Sequence, residues 1–259
     1  MMRLHFKKYS EQGQPLLVLH GLFGSQSNWG GHCKQLAEQF SVIGVDLRNH
    51  GESGHDHEHN YQVMAQDISE LMHTLSIDSA YFLGHSMGGK VAMELALTQP
   101  ELVAKLLVVD IAPVLYTDKA DDHMRVMAGM NALNLAALSS RTEAEQKLAG
   151  YIDDEATRKF IVTNLVRSGD SGFAWRLNLP VIEANYDRLR EKPSSGTEFN
   201  KPTLFVKGEL SPYVQSKHEA QILELFPNAG VKIISEAGHW LHADKPQAFQ
   251  KVAADFFSD

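Results

Sequence analysis

Short apolar runs of strand length alternate with longer segments of helical spacing through most of the chain. The runs that predict strands are residues 15–19, 41–45, 80–83, 105–109, 203–206 and 231–234. Residues 61–75 and 90–97 carry apolar side chains three and four positions apart, which is the spacing of an amphipathic helix. Strands that are apolar throughout are typical of a parallel sheet covered on both faces. The pattern therefore predicts an α/β fold with a mostly parallel central sheet flanked by helices.

The pattern changes between residues 113 and 192, where helix-like stretches follow one another without a convincing strand. Met124, Met127 and Met130 recur there every three residues, which predicts a helix face packed on a core; the alternative is an adaptable wall over an apolar ligand. Residues 192–196 are typical of a surface connection. We therefore predict a core formed by residues 1–112 and 193–259, with a helical lid, or cap, at residues 113–192.

Composition and charge exclude several classes of protein. The 259 residues are 43% hydrophobic and 22% charged, which excludes a disordered or collagen-like chain. The 32 acidic and 24 basic side chains give a net charge of -8, which disfavours nucleic acid as a partner. Cys33 is the single cysteine, so no intrachain disulfide is possible and a cytoplasmic location is expected. No apolar run has the length of a signal peptide or a membrane span.

A G-x-S-x-G pattern places Ser86 between a predicted strand and a predicted helix. Gly84 and Gly88 flank this segment, and glycines permit a tight strand-to-helix turn with a strained backbone that lifts the hydroxyl out of the sheet. A serine hydroxyl is a weak nucleophile near neutral pH and needs a general base. Ser86 is therefore a candidate nucleophile whose base must be sought downstream.

The candidate base is His239, which follows the last predicted strand. The carboxyl ends of parallel strands meet at one edge of a sheet, where active sites assemble. His239 lies on a loop that follows residues 231–234 and is expected at that edge, while His242 nearby is a competing candidate. The position directly after the strand favours His239.

Attack by a serine on a carbonyl creates an oxyanion, which needs preorganised hydrogen-bond donors. The segment from His20 to Gly24 follows the predicted strand at residues 15–19, so its backbone N–H groups can face the same edge. We expect the N–H groups of Leu22 and Met87 to form the oxyanion hole. The alternative interpretation of residues 20–24 is an ordinary glycine-rich turn.

Four motifs of this chain resemble those of the α/β-hydrolase superfamily, both in their residues and in their order along the sequence. They are HGLFG at 20–24, DLRNHGESG at 46–54, GHSMGG at 84–89 and AGHWLHADKP at 237–246, and together they span most of the chain. FAWRLNL at 173–179 and GELSPYV at 208–214 are similar to YbfF-type bacterial esterases and acyl-CoA thioesterases and to mitochondrial abhydrolases. The resemblance implies a serine esterase or thioesterase that acts on a small acyl substrate without a metal or an organic cofactor.

The acidic partner of the base departs from the commonest pattern of this superfamily, which has an aspartate a few residues after the strand at 203–206. Ser211 stands at that position, and a serine does not stabilise an imidazolium as a carboxylate does. Asp110 directly follows another apolar strand, where an unpaired charge is costly, so it is either a structural cap or the partner of His239. The YbfF resemblance supports Asp110, and Glu209 is the alternative.

The remaining polar motifs are predicted to be structural. The alternating histidines and carboxylates at residues 55–59 are of metal-ligand types, but their place before a helix favours a solvated loop. Asp46, Arg48 and His50 are expected to hold turns, and no metal or cofactor site is assigned. The superfamily fold also serves C-C bond hydrolases, lyases and non-catalytic ligand receptors, and these alternatives stay open. A CoA thioester would favour basic residues near the entrance, for which Arg167 and Arg176 are candidates.

Overall fold

The computed structural model describes residues 2–117, 120–169, 172–194 and 197–258. The described strands are β1 (Phe6–Lys8), β2 (Pro15–Leu19), β3 (Ser41–Val45), β4 (Ala80–His85), β5 (Val103–Val109), β6 (Leu165–Arg167), β7 (Phe173–Trp175), β8 (Thr203–Gly208) and β9 (Ala229–Ile234). Seven of them form one sheet in the spatial order β1-β3-β2-β4-β5-β8-β9. β1 runs antiparallel to β3, and the other neighbouring strands of this sheet are parallel. The predicted α/β fold is thereby confirmed.

The helices cover both faces of this sheet. They are α1 (Gly30–Leu36), α2 (Tyr61–Thr74), α3 (Met87–Thr98), α4 (Ala120–Ala132), α5 (Arg141–Leu148), α6 (Glu155–Val162), α7 (Leu179–Ala184), α8 (Tyr186–Arg190), α9 (Glu219–Leu225), α10 (Leu241–Asp244) and α11 (Pro246–Ser258). Successive residues of a strand point to opposite faces, and in β2 Leu17 packs in the cluster that contains α2 and α3 while Leu16 packs with α1 and α11. Burial on both faces explains why these strands are apolar throughout.

The predicted strands all form, and the pattern missed one strand at the edge of the sheet. β1 is only three residues long, and two of them are lysines that face solvent. An edge strand of this length carries too little apolar character to be recognised, and exposed lysines are common at such edges. The pattern therefore missed β1 because the apolar signal of this strand in the sequence is weak.

The segment at residues 113–192 lies between β5 and β8 and contains α4 to α8, together with a short hairpin. The expectation that it lacks strands is wrong, because β6 and β7 pair in antiparallel fashion within it. Each of these strands has three residues, too few for a period of two to stand out from the helical spacing around it. Residues 118–119 and 170–171 of this segment, and residues 195–196 of the predicted connection, lie outside the described residues.

The three methionines of α4 do not share one environment. Met127 and Met130 are buried, as a core-facing helix stripe predicts, but Met124 is 42% exposed. Each step of three residues turns the helix through roughly 300°, so the first and third methionine lie about 120° apart around the axis. The expected core face therefore holds for two of the three side chains.

Across the described ranges, no helix has the length and apolar character that crossing a membrane requires.

A buried ion pair connects the segment after β3 to α2. The Nε and Nη2 atoms of Arg48 donate to the two carboxylate oxygens of Asp67 at 2.6 and 2.7 Å, and both side chains are less than a tenth exposed. Burial raises the pKa of Asp67, whereas Arg48 acts in the opposite direction. This contact supports the structural role predicted for Arg48.

Replacing Arg48 with Met should lower the free energy of unfolding by about 3–5 kcal/mol, because it leaves the Asp67 carboxylate buried without its cation. Urea unfolding of the purified variant measures this loss. Lys251→Met is the control, because Lys251 pairs with Asp255 at a site where both side chains are exposed, and such a pair contributes far less than a buried one. Equal losses for the two variants would contradict the structural role of Arg48.

Candidate active site

Ser86 lies in a sharp turn between β4 and α3. Its backbone has φ +51° and ψ -116°, a region that non-glycine residues rarely adopt and that stores strain. A Cβ atom on Gly88 would lie 2.5 Å from the carbonyl oxygen of Leu19, and one on Gly84 would collide with the carbonyl oxygen of Gly88. The turn therefore requires both glycines of the motif.

Asp110 and His239 meet at the carboxyl edge of the sheet. Asp110 directly follows β5, and its side chain is fully buried; its Oδ2 atom lies 2.7 Å from Nδ1 of His239, which follows β9. The backbone N–H of Gly208 donates to the other carboxylate oxygen at 3.1 Å, and the hydroxyl of Ser211 donates to Oδ2. The carboxylate is thus held by three groups, two from the segment that ends β8 and one from the loop after β9.

The two alternatives for these roles lie elsewhere. Glu209 is exposed, and its carboxylate accepts a hydrogen bond from the backbone N–H of Glu236 at 2.9 Å. His242 stacks on Trp29 with ring centroids 4.2 Å apart, and burial lowers its pKa to about 3. The structure therefore brings Asp110 and His239 together, and it brings neither alternative into that pair.

Three residues that the sequence analysis did not assign also support His239. The ring centroid of Tyr213 lies 4.1 Å from that of His239, on which it stacks, and the ring centroid of His85 lies 4.8 Å away. The Nε2 atom of His85 is 3.0 Å from the carbonyl oxygen of His239. Because that oxygen can only accept, Nε2 of His85 carries the proton. Burial, followed by the proximity of His239, holds the pKa of His85 well below its ordinary value. Ser211 adds its bond to Asp110; its position in the motif was noted, but a single serine gave no signal of a supporting role.

The turn that carries Leu22 is fixed by two buried histidines. Nε2 of His20 accepts the backbone N–H of Leu47 at 3.0 Å, so Nδ1 carries the proton and donates to the carbonyl oxygen of Gly21 at 2.8 Å. Nε2 of His50 accepts the backbone N–H of Phe23 at 3.2 Å. Burial lowers the pKa of both imidazoles, so both are neutral near pH 7. On the other side of the site, Met87 opens α3, where the first N–H groups of a helix have no partner within the helix.

Two cavities meet at the serine. The larger has a volume of about 380 Å³ and is lined by Ser86 and His239 together with residues of α4 and α6. The smaller has a volume of about 40 Å³ and is lined by Ser86, Leu22 and Met87 among others. Ser86 and Leu22 therefore line both cavities, whereas His239 lines only the larger one and Met87 only the smaller one.

Most of the polar residues that were predicted to have a structural role have contacts that fit such a role. Asp46 accepts the backbone N–H groups of Gln26 at 2.7 Å and Glu52 at 3.0 Å and thereby holds two turns. Residues 55–58 are at least partly exposed, as a solvated loop predicts, but His59 is buried, which corrects that expectation for one residue. Burial lowers the pKa of His59 to about 4. Among the described residues, no group of three or more His, Cys, Asp or Glu side chains is arranged to hold a metal ion.

Comparisons with known proteins agree with this architecture. The family model for the alpha/beta hydrolase fold matches residues 14–246. Esterase YbfF of Escherichia coli is 34% identical over the full length of both chains. The mouse sn-1-specific diacylglycerol lipase ABHD11 is 38% identical over 94% of this chain and 80% of its own.

A solved structure of similar sequence has the same fold. A marine microorganism esterase superposes with a TM-score of 0.96 at 36% identity, covering 99% of this chain and all of that one. An E-2-(acetamidomethylene)succinate hydrolase superposes with a TM-score of 0.83, and at 22% identity this likeness concerns the fold alone. With the family match, the sequence identities and the superposition in agreement, this chain belongs to the α/β-hydrolase family and to its YbfF-type esterases.

Proposed function

We propose that this protein hydrolyses carboxylic esters through an acyl-enzyme, with Ser86 as nucleophile, His239 as general base and Asp110 as the carboxylate partner of that base. The observation that carries the proposal is the 2.7 Å contact between Asp110 and Nδ1 of His239 in a site where His239 and Ser86 line one cavity. With Nδ1 engaged by the carboxylate, Nε2 is the nitrogen left to accept a proton. The esterase names of the relatives support the same reaction.

In the acylation step, the hydroxyl oxygen of Ser86 attacks the ester carbonyl carbon while Nε2 of His239 takes the hydroxyl proton. The carbonyl electron pair moves onto oxygen, and the N–H groups of Leu22 and Met87 donate to this oxyanion. When the tetrahedral intermediate collapses, the imidazolium gives its proton to the leaving alcohol, and the acyl group stays on Ser86. Asp110 stabilises the imidazolium between these two transfers.

In the deacylation step, water replaces the alcohol. His239 takes a proton from the water as it attacks the acyl carbon, and the same donors hold the second oxyanion. Collapse of that intermediate releases the carboxylic acid and returns the proton to Ser86. The neutral state of His85 favours this cycle, since a positive charge 4.8 Å from His239 would oppose the formation of its imidazolium.

The segment at 113–192 acts in this proposal as the lid that was expected from the sequence. Val126 of α4 and Phe160 and Ile161 of α6 line the larger cavity opposite Ser86, so they supply apolar contact to the substrate. A wall of this kind excludes water from the reacting atoms when substrate is bound. Oxygen esters with an apolar portion are therefore the proposed substrates.

Replacing Ser86 with Ala should lower kcat for p-nitrophenyl butyrate by at least about 10⁴-fold, because the acyl-enzyme can no longer form. The assay is run with purified protein and a chelator, and Ser69→Ala is the control, since Ser69 lies on α2 and bonds Gln99 away from both cavities. Full turnover by folded Ser86→Ala, or loss of wild-type turnover on chelation, would contradict the mechanism.

Replacing Asp110 with Asn should lower kcat by about 10⁴-fold, because an amide cannot stabilise the imidazolium and favours the wrong tautomer of the base. Glu209→Gln is the matched control and should lower kcat by less than about tenfold, since its exposed carboxylate accepts from the backbone N–H of Glu236, away from His239. Steady-state kinetics on both variants decides between the two acids. The reverse order of effects would assign the acid to Glu209.

Butyryl-CoA should be a poorer substrate than p-nitrophenyl butyrate, because the phosphates of CoA would bring negative charge to the larger cavity, whose described lining offers no cation. Among the described residues that line it there is neither Lys nor Arg, and Asp122 adds a negative charge; the expected cations Arg167 and Arg176 are not part of this lining. Asp122→Asn should therefore raise kcat/KM for the thioester and leave the neutral ester unchanged. An equal effect on both substrates would show that charge at this wall does not select the leaving group.

A further inference from the structure

Tyr116 lies near the start of the segment 113–192, and its hydroxyl bonds two loops of the core. This hydroxyl accepts the backbone N–H of Ala112 at 2.9 Å and donates to the carbonyl oxygen of Tyr213 at 2.5 Å. Ala112 follows Asp110 by two residues, and Tyr213 lies in the loop after β8. Burial raises the pKa of Tyr116, so the phenol keeps the proton that it donates. One side chain of the segment therefore connects the loop of the proposed acid to the loop after the neighbouring strand.

Tyr213 is held through both of its backbone groups. Its N–H donates to the hydroxyl oxygen of Ser211 at 3.3 Å, and its carbonyl oxygen accepts from Tyr116. Its ring stacks on the imidazole of His239, with the two planes inclined by 29°. Because a side chain moves with its backbone, the position of this ring depends on the bond from Tyr116.

A ring in this position acts on the base in two ways. It packs against an imidazole whose Nδ1 atom must face Asp110 while Nε2 serves Ser86, and proton transfer is sensitive to that orientation. The face of an aromatic ring also attracts a cation, so the Tyr213 ring stabilises the imidazolium that forms when His239 takes the serine proton. A displaced ring would therefore slow the chemical step more than it would weaken substrate binding.

Tyr116 is itself fixed by two cations. The ammonium of Lys90 lies 4.9 Å from its ring centroid, and Nε of Arg190 donates to its carbonyl oxygen at 2.9 Å. Lys90 is 1% exposed and donates to the carbonyl oxygens of Val114 at 2.9 Å, Arg190 at 3.2 Å and Glu191. Burial lowers the pKa of Lys90 to about 7, and three carbonyl acceptors match the three N–H donors of its ammonium form. Tyr116 is thus seated where the start and the end of its segment meet.

Tyr61 has the same kind of contacts without the link to the base. Its hydroxyl donates to the carbonyl oxygen of Leu189 at 2.5 Å, and the ammonium of Lys90 lies 5.4 Å from its ring centroid. Burial raises the pKa of Tyr61 as well, and both tyrosines line the smaller cavity. The difference lies in the acceptor, which belongs to α8 for Tyr61 and to the residue stacked on His239 for Tyr116.

We propose that Tyr116 is a positioning residue for the catalytic base: its hydroxyl fixes the backbone of Tyr213 and thereby the ring that stacks on His239. The inference rests on the proposed function, because it concerns proton transfer by His239. Tyr116 belongs to the segment 113–192, whereas the base belongs to the core. Correct seating of that segment is therefore a condition for proton transfer in the core, in addition to its role as a wall of the larger cavity.

The first test replaces Tyr116 with Phe, which removes the hydroxyl and keeps the ring. The kcat for p-nitrophenyl butyrate should fall by at least about tenfold while KM stays within about twofold, because the base is displaced and the larger cavity is unchanged. Tyr61→Phe is the matched control, since it loses a bond of the same length to a backbone carbonyl, and its kcat should stay within about twofold. Urea unfolding should show similar losses of stability for the two variants.

The second test asks whether Tyr116 acts through the ring of Tyr213. Tyr213→Leu removes that ring from His239 and should lower kcat by about tenfold on its own. In the Tyr213→Leu background, Tyr116→Phe should then lower kcat by less than about twofold further, because the two changes interrupt the same contact. A full tenfold effect of about the wild-type size in that background would overturn the route through Tyr213.

These results would separate the inference from the proposed function. Unchanged kcat in folded Tyr116→Phe, a change confined to KM, or equal losses of kcat in Tyr116→Phe and Tyr61→Phe would overturn the role of Tyr116 and leave the esterase intact. If Tyr116→Phe fails to fold, Tyr213→Leu decides, and wild-type kcat in that variant would overturn the inference. A folded wild type that does not hydrolyse the ester would overturn the proposed function itself, and the inference with it.

Discussion

The hydrogen bond between Asp110 and His239 joins two positions that lie 129 residues apart, and the arrangement of the site depends on it. Asp110 follows β5 and His239 follows β9, and β8 separates the two strands in the sheet. The backbone of Asp110 adopts φ +53°, a left-handed conformation that is uncommon for a residue other than glycine. The N–H of Gly208, at the end of β8, holds the other carboxylate oxygen. The register of three parallel strands therefore sets the position of one imidazole.

Several histidines near the serine are kept neutral, and this neutrality is a property of packing rather than of residue type. His20, His85 and His242 are buried, and burial lowers the pKa of each of them. A neutral imidazole both donates and accepts, so it can link backbone groups that no charged side chain would suit. His20 does this for the Leu22 turn, and His85 donates to the loop that carries His239. Several imidazoles therefore lie near Ser86 without adding positive charge there.

The sequence predicted the parts of this structure that have a strong local signal. Apolar strands and the strand-to-helix turn at Ser86 were sufficient to predict the fold and to expect Ser86 and His239 at one edge of the sheet. The residues alone left both Asp110 and Glu209 open as the acid, and the family resemblance favoured Asp110, which the structure brings to His239. The three-residue strands β1, β6 and β7 were missed because they have too few residues to display a period.

The supporting residues were beyond the reach of sequence reasoning for a different reason. Ser211 bonds a carboxylate 101 positions away, and Lys90 bonds carbonyl groups 24 to 101 positions away. The residues that adjoin Ser211 or Lys90 in the sequence give no indication of such a distant partner. A lysine in an apolar helix indicates only that some compensation must exist, because burying an unpaired charge is costly. Which groups compensate it is decided by the tertiary fold.

The two ends of the segment 113–192 are also bonded to each other, since the backbone N–H of Tyr116 donates to the carbonyl oxygen of Arg190 at 3.0 Å. The segment therefore leaves and re-enters the core at adjacent points, much as a domain receives a guest domain whose termini are adjacent. When the ends of a loop are already together, each doubling of its length costs only about 0.6 kcal/mol of closure entropy. Changes in length between these ends therefore add little closure entropy and leave the paired ends in place, so this part of the chain can diverge in length while its two ends stay together.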